Sequence, residues 1–168
     1  MIVLVMGVAG AGKTTIGRML AEARGYRFSD ADAFHPQANV EKMRRGERLD
    51  DIDREPWLRA MASAIDTWLR DGTDVVLACS ALKARYRARL LRDPSRMTLV
   101  YLKVPPGVAR ARIEDRLEHF MPADLLDSQF EALEEPAQAI VIDASEPLDA
   151  VVHAIQDALE SRNARNPR

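Results

Sequence analysis

The sequence predicts an α/β domain: a five-stranded parallel sheet with helices on both faces. Three observations carry that prediction. Apolar blocks recur at Met1–Met6, Asp74–Cys79, Met97–Val104 and Ala139–Asp143, continuous rather than alternating, as in strands covered on both sides. Helical patterns separate the strands, and such alternation closes into a parallel sheet with right-handed crossovers. The stretch Gly7-Val8-Ala9-Gly10-Ala11-Gly12-Lys13-Thr14 matches G-x-x-x-x-G-K-[ST] directly after the first block and before a helix.

The elements follow in order. Ile16, Met19, Leu20 and Ala23 give the first helix its apolar spacing, and Gly25 suits its C′ position. Tyr26-Arg27-Phe28 reads as a short strand ending at Ser29-Asp30-Ala31-Asp32-Ala33-Phe34-His35-Pro36. Asn39 to Arg45 is a short helix closed by Gly46. After the polar segment 47–54, Asp53 is the expected N-cap of a helix that tolerates Pro56 in its first turn and buries Trp57, Met61, Ile65, Trp68 and Leu69. The tryptophans belong to the core. Asp71-Gly72 leads into the strand ending at Cys79, after which Ser80 is expected to cap a helix carrying Lys83, Arg85, Tyr86, Arg87 and Arg89. Asp93-Pro94 stops it. Pro105-Pro106-Gly107 ends the next strand, a helix runs from about Val108 to Leu117, and His119-Phe120-Met121-Pro122 breaks it. Asp124 starts a helix through Glu131. Pro147 opens a final helix with Leu148, Val151, Val152, Ile155 and Leu159 apolar, and Asn163 to Arg168 reads as a tail. The expectation is one domain over 1–162.

Composition narrows the function. A chain of 168 residues buries roughly 70% of its unfolded surface and needs no disulfides, and the single cysteine, Cys79, lies in an apolar run. A reducing, cytoplasmic setting is expected. With 24 basic and 26 acidic residues, the charge of −2 gives no nucleic-acid or membrane face. No apolar run approaches the roughly 20 residues of a membrane span.

The glycine-rich loop points to a nucleoside triphosphate and no further. Gly7, Gly10 and Gly12 let backbone N–H groups turn inward at a helix start, where they cradle phosphates. Lys13 then reaches the β- and γ-phosphates of a nucleoside triphosphate, Thr14 places its hydroxyl on Mg²⁺, and Thr15 adds a second hydroxyl. Asp30, Asp32 and His35 fall beyond the carboxyl end of a strand, where open α/β sheets bind ligands, although either aspartate also suits a helix cap or an Asx turn. Arg112 and Arg116, four apart, reach phosphates from above or pair with Glu114 and Glu118. A GTP switch is excluded because N-K-x-D and D-x-x-G are absent. The strand to Cys79 ends in Ser80 rather than the acids of an ATP-hydrolysing machine. A small-molecule kinase, which needs a carboxylate beside the γ-phosphate, fits.

At this level of detail the chain resembles gluconokinase, the small P-loop type that phosphorylates D-gluconate. The resemblance rests on Phe28-Ser29-Asp30-Ala31-Asp32 with His35-Pro36, Asn39-Val40-Glu41-Lys42-Met43, Asp53-Arg54 and Pro56-Trp57-Leu58. It continues through Cys79-Ser80-Ala81-Leu82-Lys83 with Tyr86-Arg87, His119-Phe120 and Leu126 to Pro136. It implies a P-loop NTPase of nucleoside-monophosphate-kinase-like fold with a mobile lid, at about 112–124, and an acceptor segment at about 30–58. It also implies ATP and Mg²⁺, D-gluconate as substrate, a homodimer, and a product, 6-phospho-D-gluconate, that feeds the pentose phosphate and Entner–Doudoroff routes. The expected roles place Asp32 as base at the 6-hydroxyl and Asp30 on Mg²⁺ through water, or the two exchanged. Arg54 and Arg87 clamp the gluconate carboxylate, with His35, Lys83 and His119 as further substrate contacts. Arg112 and Arg116 serve the ATP side of the lid. Shikimate, adenylylsulfate or another sugar acid as acceptor, or a nucleotide-binding module without turnover, are the alternatives. Glu118 departs from the family pattern, which has glycine before His-Phe.

Overall fold

The computed structural model describes residues 1–115 and 123–165. Its strands are β1 (Ile2–Met6), β2 (Arg27–Asp30), β3 (Val75–Ala78), β4 (Met97–Lys103) and β5 (Ile140–Asp143). Its helices are α1 (Lys13–Arg24), α2 (Gln37–Arg44), α3 (Asp51–Asp71), α4 (Ala84–Leu90), α5 (Pro106–Glu114), α6 (Ala123–Ala132) and α7 (Leu148–Arg165), with a 3-10 turn at Ala31–Phe34. α7 thus continues into the stretch expected to be tail.

All strand pairs are parallel, in the order β2-β3-β1-β4-β5. Strand order reverses around β1, so the loop after β1 sits at the switch point where such sheets bind ligands. Asp30 pairs with Ala78, and Ala78 with Val5, which brings the carboxyl ends of β2, β3 and β1 level.

Alternate residues of the buried strands feed two cores, which is why the strands are apolar without interruption. Val3 and Val5 of β1 join Ile16 and Leu20 of α1 and Ile155 and Leu159 of α7. Ile2, Leu4 and Met6 meet Trp57, Met61, Ile65 and Trp68 of α3, with Tyr86 and Leu90 of α4. Each large apolar side chain so buried contributes about 1.5–3 kcal/mol. Of the apolar positions expected on α7, Leu148 is 40% exposed, because it faces a cleft rather than the sheet. No helix among the described residues is long and apolar enough to cross a membrane.

Three local expectations are corrected. β2 spans Arg27–Asp30 rather than Tyr26 to Phe28. The N-cap of α3 is Asp50, not Asp53: Asp53 N–H donates to the Asp50 carboxylate at 2.8 Å while Asp50 N–H donates to Asp53 at 3.0 Å, a reciprocal capping box. Ser80 does not cap α4. The chain makes a further turn, with Ala81 at φ +43°, and the first free N–H of α4, on Ala84, donates to Glu134 at 2.7 Å. A carboxylate from a distant segment thus does what a local serine was expected to do.

Candidate active site

The loop between β1 and α1 is shaped by its neighbours as much as by its glycines. At Gly10, with φ +78°, an added Cβ would lie 2.4 Å from the Ala109 carbonyl oxygen, so α5 presses directly on the loop. Arg112 of α5 lies 3.5 Å from the Gly10 carbonyl through Nη1. From the other side, Ala9 N–H donates to Gln129 Oε1 of α6 at 2.7 Å. Lys13 Nζ donates to the Val8 carbonyl at 2.9 Å, which folds its ammonium back over the loop. The N-terminus of α1 adds the partial positive charge and free N–H groups that favour phosphate.

Across this loop stands the end of β2. Thr14 Oγ1 donates to Asp30 Oδ2 at 3.0 Å, and Asp32 N–H donates to Asp30 Oδ1 at 3.1 Å. Asp30 therefore caps the 3-10 turn and also reaches the loop through Thr14. One hydroxyl and one carboxylate, both hard oxygen donors at a phosphate loop, suit Mg²⁺, which keeps several waters and takes few protein ligands.

Asp32 is exposed at the surface, yet the surrounding protein shields it enough to push its carboxyl above the ordinary value. That loss of hydration is the main cause and the charge of Asp30 adds to it, while His35 and Lys13 oppose. The His35 ring stacks on Trp57, centroids 4.7 Å apart and planes within 4°, and Trp57 Nε1 donates to the Ala31 carbonyl at 2.7 Å. Burial chiefly, then Arg54, lowers the basicity of His35 against the pull of Asp32. Trp57 is core, as its composition predicted, and also the platform under the imidazole.

A cationic cluster surrounds Tyr86. Arg54, Lys83 and Arg85 lie 5.9, 5.7 and 5.4 Å from its ring centre. Asp51 accepts from Lys83 at 3.4 Å, from Arg85 and from the Tyr86 hydroxyl, and these donors hold its carboxyl below the usual range. Three cations against one acid leave the cluster positive. Arg54 also donates to the Leu49 carbonyl. Arg87 is placed differently: it is 7% exposed, and its Nη1 donates to Ala81 and Leu82 carbonyls at 3.0 and 2.8 Å. Burial lowers its basicity, with Glu134 opposing. It braces the loop that carries Lys83. Cys79 lies fully buried beneath, its thiol pushed up to about 12 by burial and hence inert.

A cleft of about 460 Å³ adjoins the loop, lined by Gly12, Thr15, Arg112, Asp115 and the segment Ser145–Leu148. Of these, the sequence had singled out Gly12, Thr15 and Arg112 as ligand-binding. Ser145 and Glu146 carried no signal, and Pro147 read only as a helix start. Arg116 and His119, together with Glu118 and most of the expected lid, lie outside the described residues.

A phosphate-binding loop at the switch point of a parallel sheet, faced by a carboxylate pair and a cationic pocket, defines a small P-loop kinase. Residues 2–140 match the family model described as AAA domain. A probable gluconokinase of Xenopus tropicalis is 39% identical over 96% of this chain and 95% of its own. A gluconokinase of Gluconobacter oxydans is 44% identical over 79% of this chain and 75% of its own. The solved structure of a gluconokinase from Sinorhizobium meliloti superimposes with a TM-score of 0.86 at 39% identity, covering 98% of this chain and 93% of that one. A shikimate kinase from Bacteroides thetaiotaomicron, at 21% identity and a TM-score of 0.70 over 95% and 98% of the two chains, shares the fold alone. The chain belongs to the gluconokinase family.

Proposed function

We propose that this enzyme transfers the γ-phosphoryl group of ATP to the 6-hydroxyl of D-gluconate, giving 6-phospho-D-gluconate and ADP. Membership of the gluconokinase family supports the reaction, and the observation that carries the mechanism is the meeting of Thr14, Asp30 and Asp32 at the mouth of the phosphate loop. The O6–P bond forms as the bond from Pγ to the β,γ-bridging oxygen breaks, and the hydroxyl proton passes to Asp32. A carboxylate of raised basicity suits that transfer. Thr14, and Asp30 through water, would hold Mg²⁺, which when bound offsets the charge on the β- and γ-phosphates. Lys13 and the loop amides align the phosphates.

The acceptor's carboxylate meets the positive cluster at Arg54 and Lys83, where a guanidinium offers two parallel hydrogen bonds. Arg87, tied to loop carbonyls, joins through its remaining N–H donors, and His35 and His119 complete the acceptor contacts. Arg112 and Arg116 serve the ATP side, and the 460 Å³ cleft beside Thr15 accommodates the nucleoside. The enzyme acts as a homodimer in the cytoplasm, and its product enters the pentose phosphate route.

The test is a coupled ADP-release assay over D-gluconate, other sugar acids, shikimate and adenylylsulfate, with and without Mg²⁺. Gluconate should give the highest kcat/KM, and activity should vanish without Mg²⁺. A higher kcat/KM for shikimate or adenylylsulfate would overturn the assignment.

A further inference from the structure

Asn39, on α2, is 3% exposed and stands behind the His35 ring. Its Nδ2 donates to the Asp53 carbonyl at 2.7 Å and lies 3.3 Å from His35 Nδ1. An amide nitrogen carries two N–H donors and accepts nothing. The reversed amide would set Oδ1 against the Asp53 carbonyl oxygen at hydrogen-bond distance, two acceptors face to face, so that carbonyl fixes which end is nitrogen. With one N–H on Asp53, the other meets Nδ1, which must accept with its lone pair. A neutral imidazole has one N–H, and it is then on Nε2.

The rest of the ring's surroundings agree. Parallel stacking on Trp57 fixes the ring plane, and the Trp57 bond to the Ala31 carbonyl ties that plane to the residue before Asp32. The charged groups facing the ring are Asp32 and Arg54; burial and Arg54 together outweigh Asp32 and disfavour the imidazolium. The Lys42 ammonium binds both Asp53 carboxylate oxygens, at 2.8 and 2.9 Å, so the Asp53 backbone that orients Asn39 is itself anchored between α2 and α3.

We infer that Asn39 is a positioning residue that locks His35 as its uncharged Nε2–H tautomer, so that the acceptor pocket offers an oxygen of the sugar acid a hydrogen-bond donor carrying no positive charge. Charge attraction is left to Arg54 and Lys83. A neutral donor responds to where the oxygen lies and in which direction its lone pair points, whereas a third cation beside Arg54 and Lys83 would hold any carboxylate without such selectivity. This assignment rests on the sugar-acid kinase function proposed above.

The experiment uses the full chain labelled with ¹⁵N-histidine. A long-range ¹H–¹⁵N spectrum near pH 7.5 distinguishes the two neutral tautomers and the imidazolium, with the His35 signals identified by their loss in His35→Gln. The wild-type ring should show protonated Nε2 and unprotonated Nδ1, and Asn39→Ala should mix the tautomers. In steady state, the gluconate KM of His35→Asn, whose amide ends near Nδ1, should exceed that of His35→Gln, whose amide nitrogen falls near Nε2, by about tenfold, the scale of one hydrogen bond, with equal ATP KM. A wild-type Nδ1–H or imidazolium signal overturns the lock without depending on the folding of any variant. Equal gluconate KM values for the two variants overturn the donor role. A wild-type chain that shows the locked tautomer but does not phosphorylate gluconate overturns the proposed function and leaves the lock standing.

Discussion

Two glycine-to-alanine substitutions separate backbone strain from close approach at the nucleotide loop. Gly10 and Gly72 have nearly the same left-handed φ, +78° and +71°. Alanine at either position therefore meets the same intrinsic cost, about 1–2 kcal/mol. They differ in their neighbours. A Cβ at Gly72 has nothing within 4 Å, whereas one at Gly10 sits 2.4 Å from the Ala109 carbonyl oxygen and 3.0 Å from two further backbone atoms of α5. Those atoms cannot rotate away as a side-chain tip would, so the loop or α5 must move, at a further cost of about 1–3 kcal/mol. With a urea m-value of roughly 1–3 kcal/mol per molar, Gly10→Ala should unfold about 1 M below Gly72→Ala. Because the displaced loop is the phosphate cradle, Gly10→Ala should also weaken ATP binding about tenfold or more by calorimetry, while Gly72→Ala binds like the parent. Equal urea midpoints and equal ATP affinity for the two variants would refute the claim that α5 sets the shape of the loop.

Asp32→Asn should lower kcat by about 10²–10⁴ while leaving ATP affinity within a few-fold. The raised carboxyl means that the folded chain holds this proton more tightly than the unfolded chain, so ionised Asp32 destabilises the fold above its ordinary pKa; Asp32→Asn should therefore melt at the same or a higher temperature at neutral pH. For the parent, kcat/KM for gluconate should rise with pH with a midpoint above the ordinary aspartate value of about 3.9. His35 has the opposite sign of linkage. Its folded value lies below the ordinary value of about 6.5, so the unfolded chain takes the proton first and stability falls as pH drops from there toward the folded value. His35→Gln should remove that acid-labile part in urea titrations at about pH 7.5 and 5.5. Asp50→Ala should cost about 1 kcal/mol through the lost cap and raise the gluconate KM, since Asp51, Asp53 and Arg54 occupy the turn it holds, with ATP KM unchanged.

The parts legible in the sequence are those where local chemistry and tertiary context ask for the same residue. β1 had to be apolar on both faces and its successor had to be glycine-rich, so strand and loop announced themselves. The start of α3 offered three aspartates, Asp50, Asp51 and Asp53, each a good cap. The choice fell to Asp50 because Asp53 could answer it reciprocally as well as bind Lys42. Past β3 the local signal misled outright. Ser80 has the right chemistry for a cap, but the Ala81 and Leu82 carbonyls are held by Arg87, and Glu134 supplies the carboxylate that Ala84 needs. Each of those partners is set by the fold, not by spacing along the chain. The cationic pocket was half legible for the same reason. Arg54 and Lys83 were visible as charges, but only packing shows that Asp51 and Tyr86 gather them.

The segment from α6 into β5 explains how two halves of the site built from distant stretches keep their spacing. Gln129 accepts from the Ala9 amide of the nucleotide loop. Five residues on, Glu134 accepts from Ala84, and its own N–H donates to the Leu82 carbonyl, fixing the loop that carries Lys83. Glu135 then meets Lys103 at the end of β4 and, at 3.5 Å, the Tyr101 hydroxyl. Three side chains on one short run thus connect the nucleotide loop, the loop after β3 and the carboxyl end of β4. In-line phosphoryl transfer tolerates little error in the distance between the γ-phosphate and the attacking oxygen, and a misplacement of about 1 Å costs on the order of 10² in rate. A brace common to both loops makes a displacement of one carry the other with it, so their separation changes less than either position does. Gln129→Leu keeps the bulk and removes the acceptor. It should therefore lower kcat more than it raises either KM.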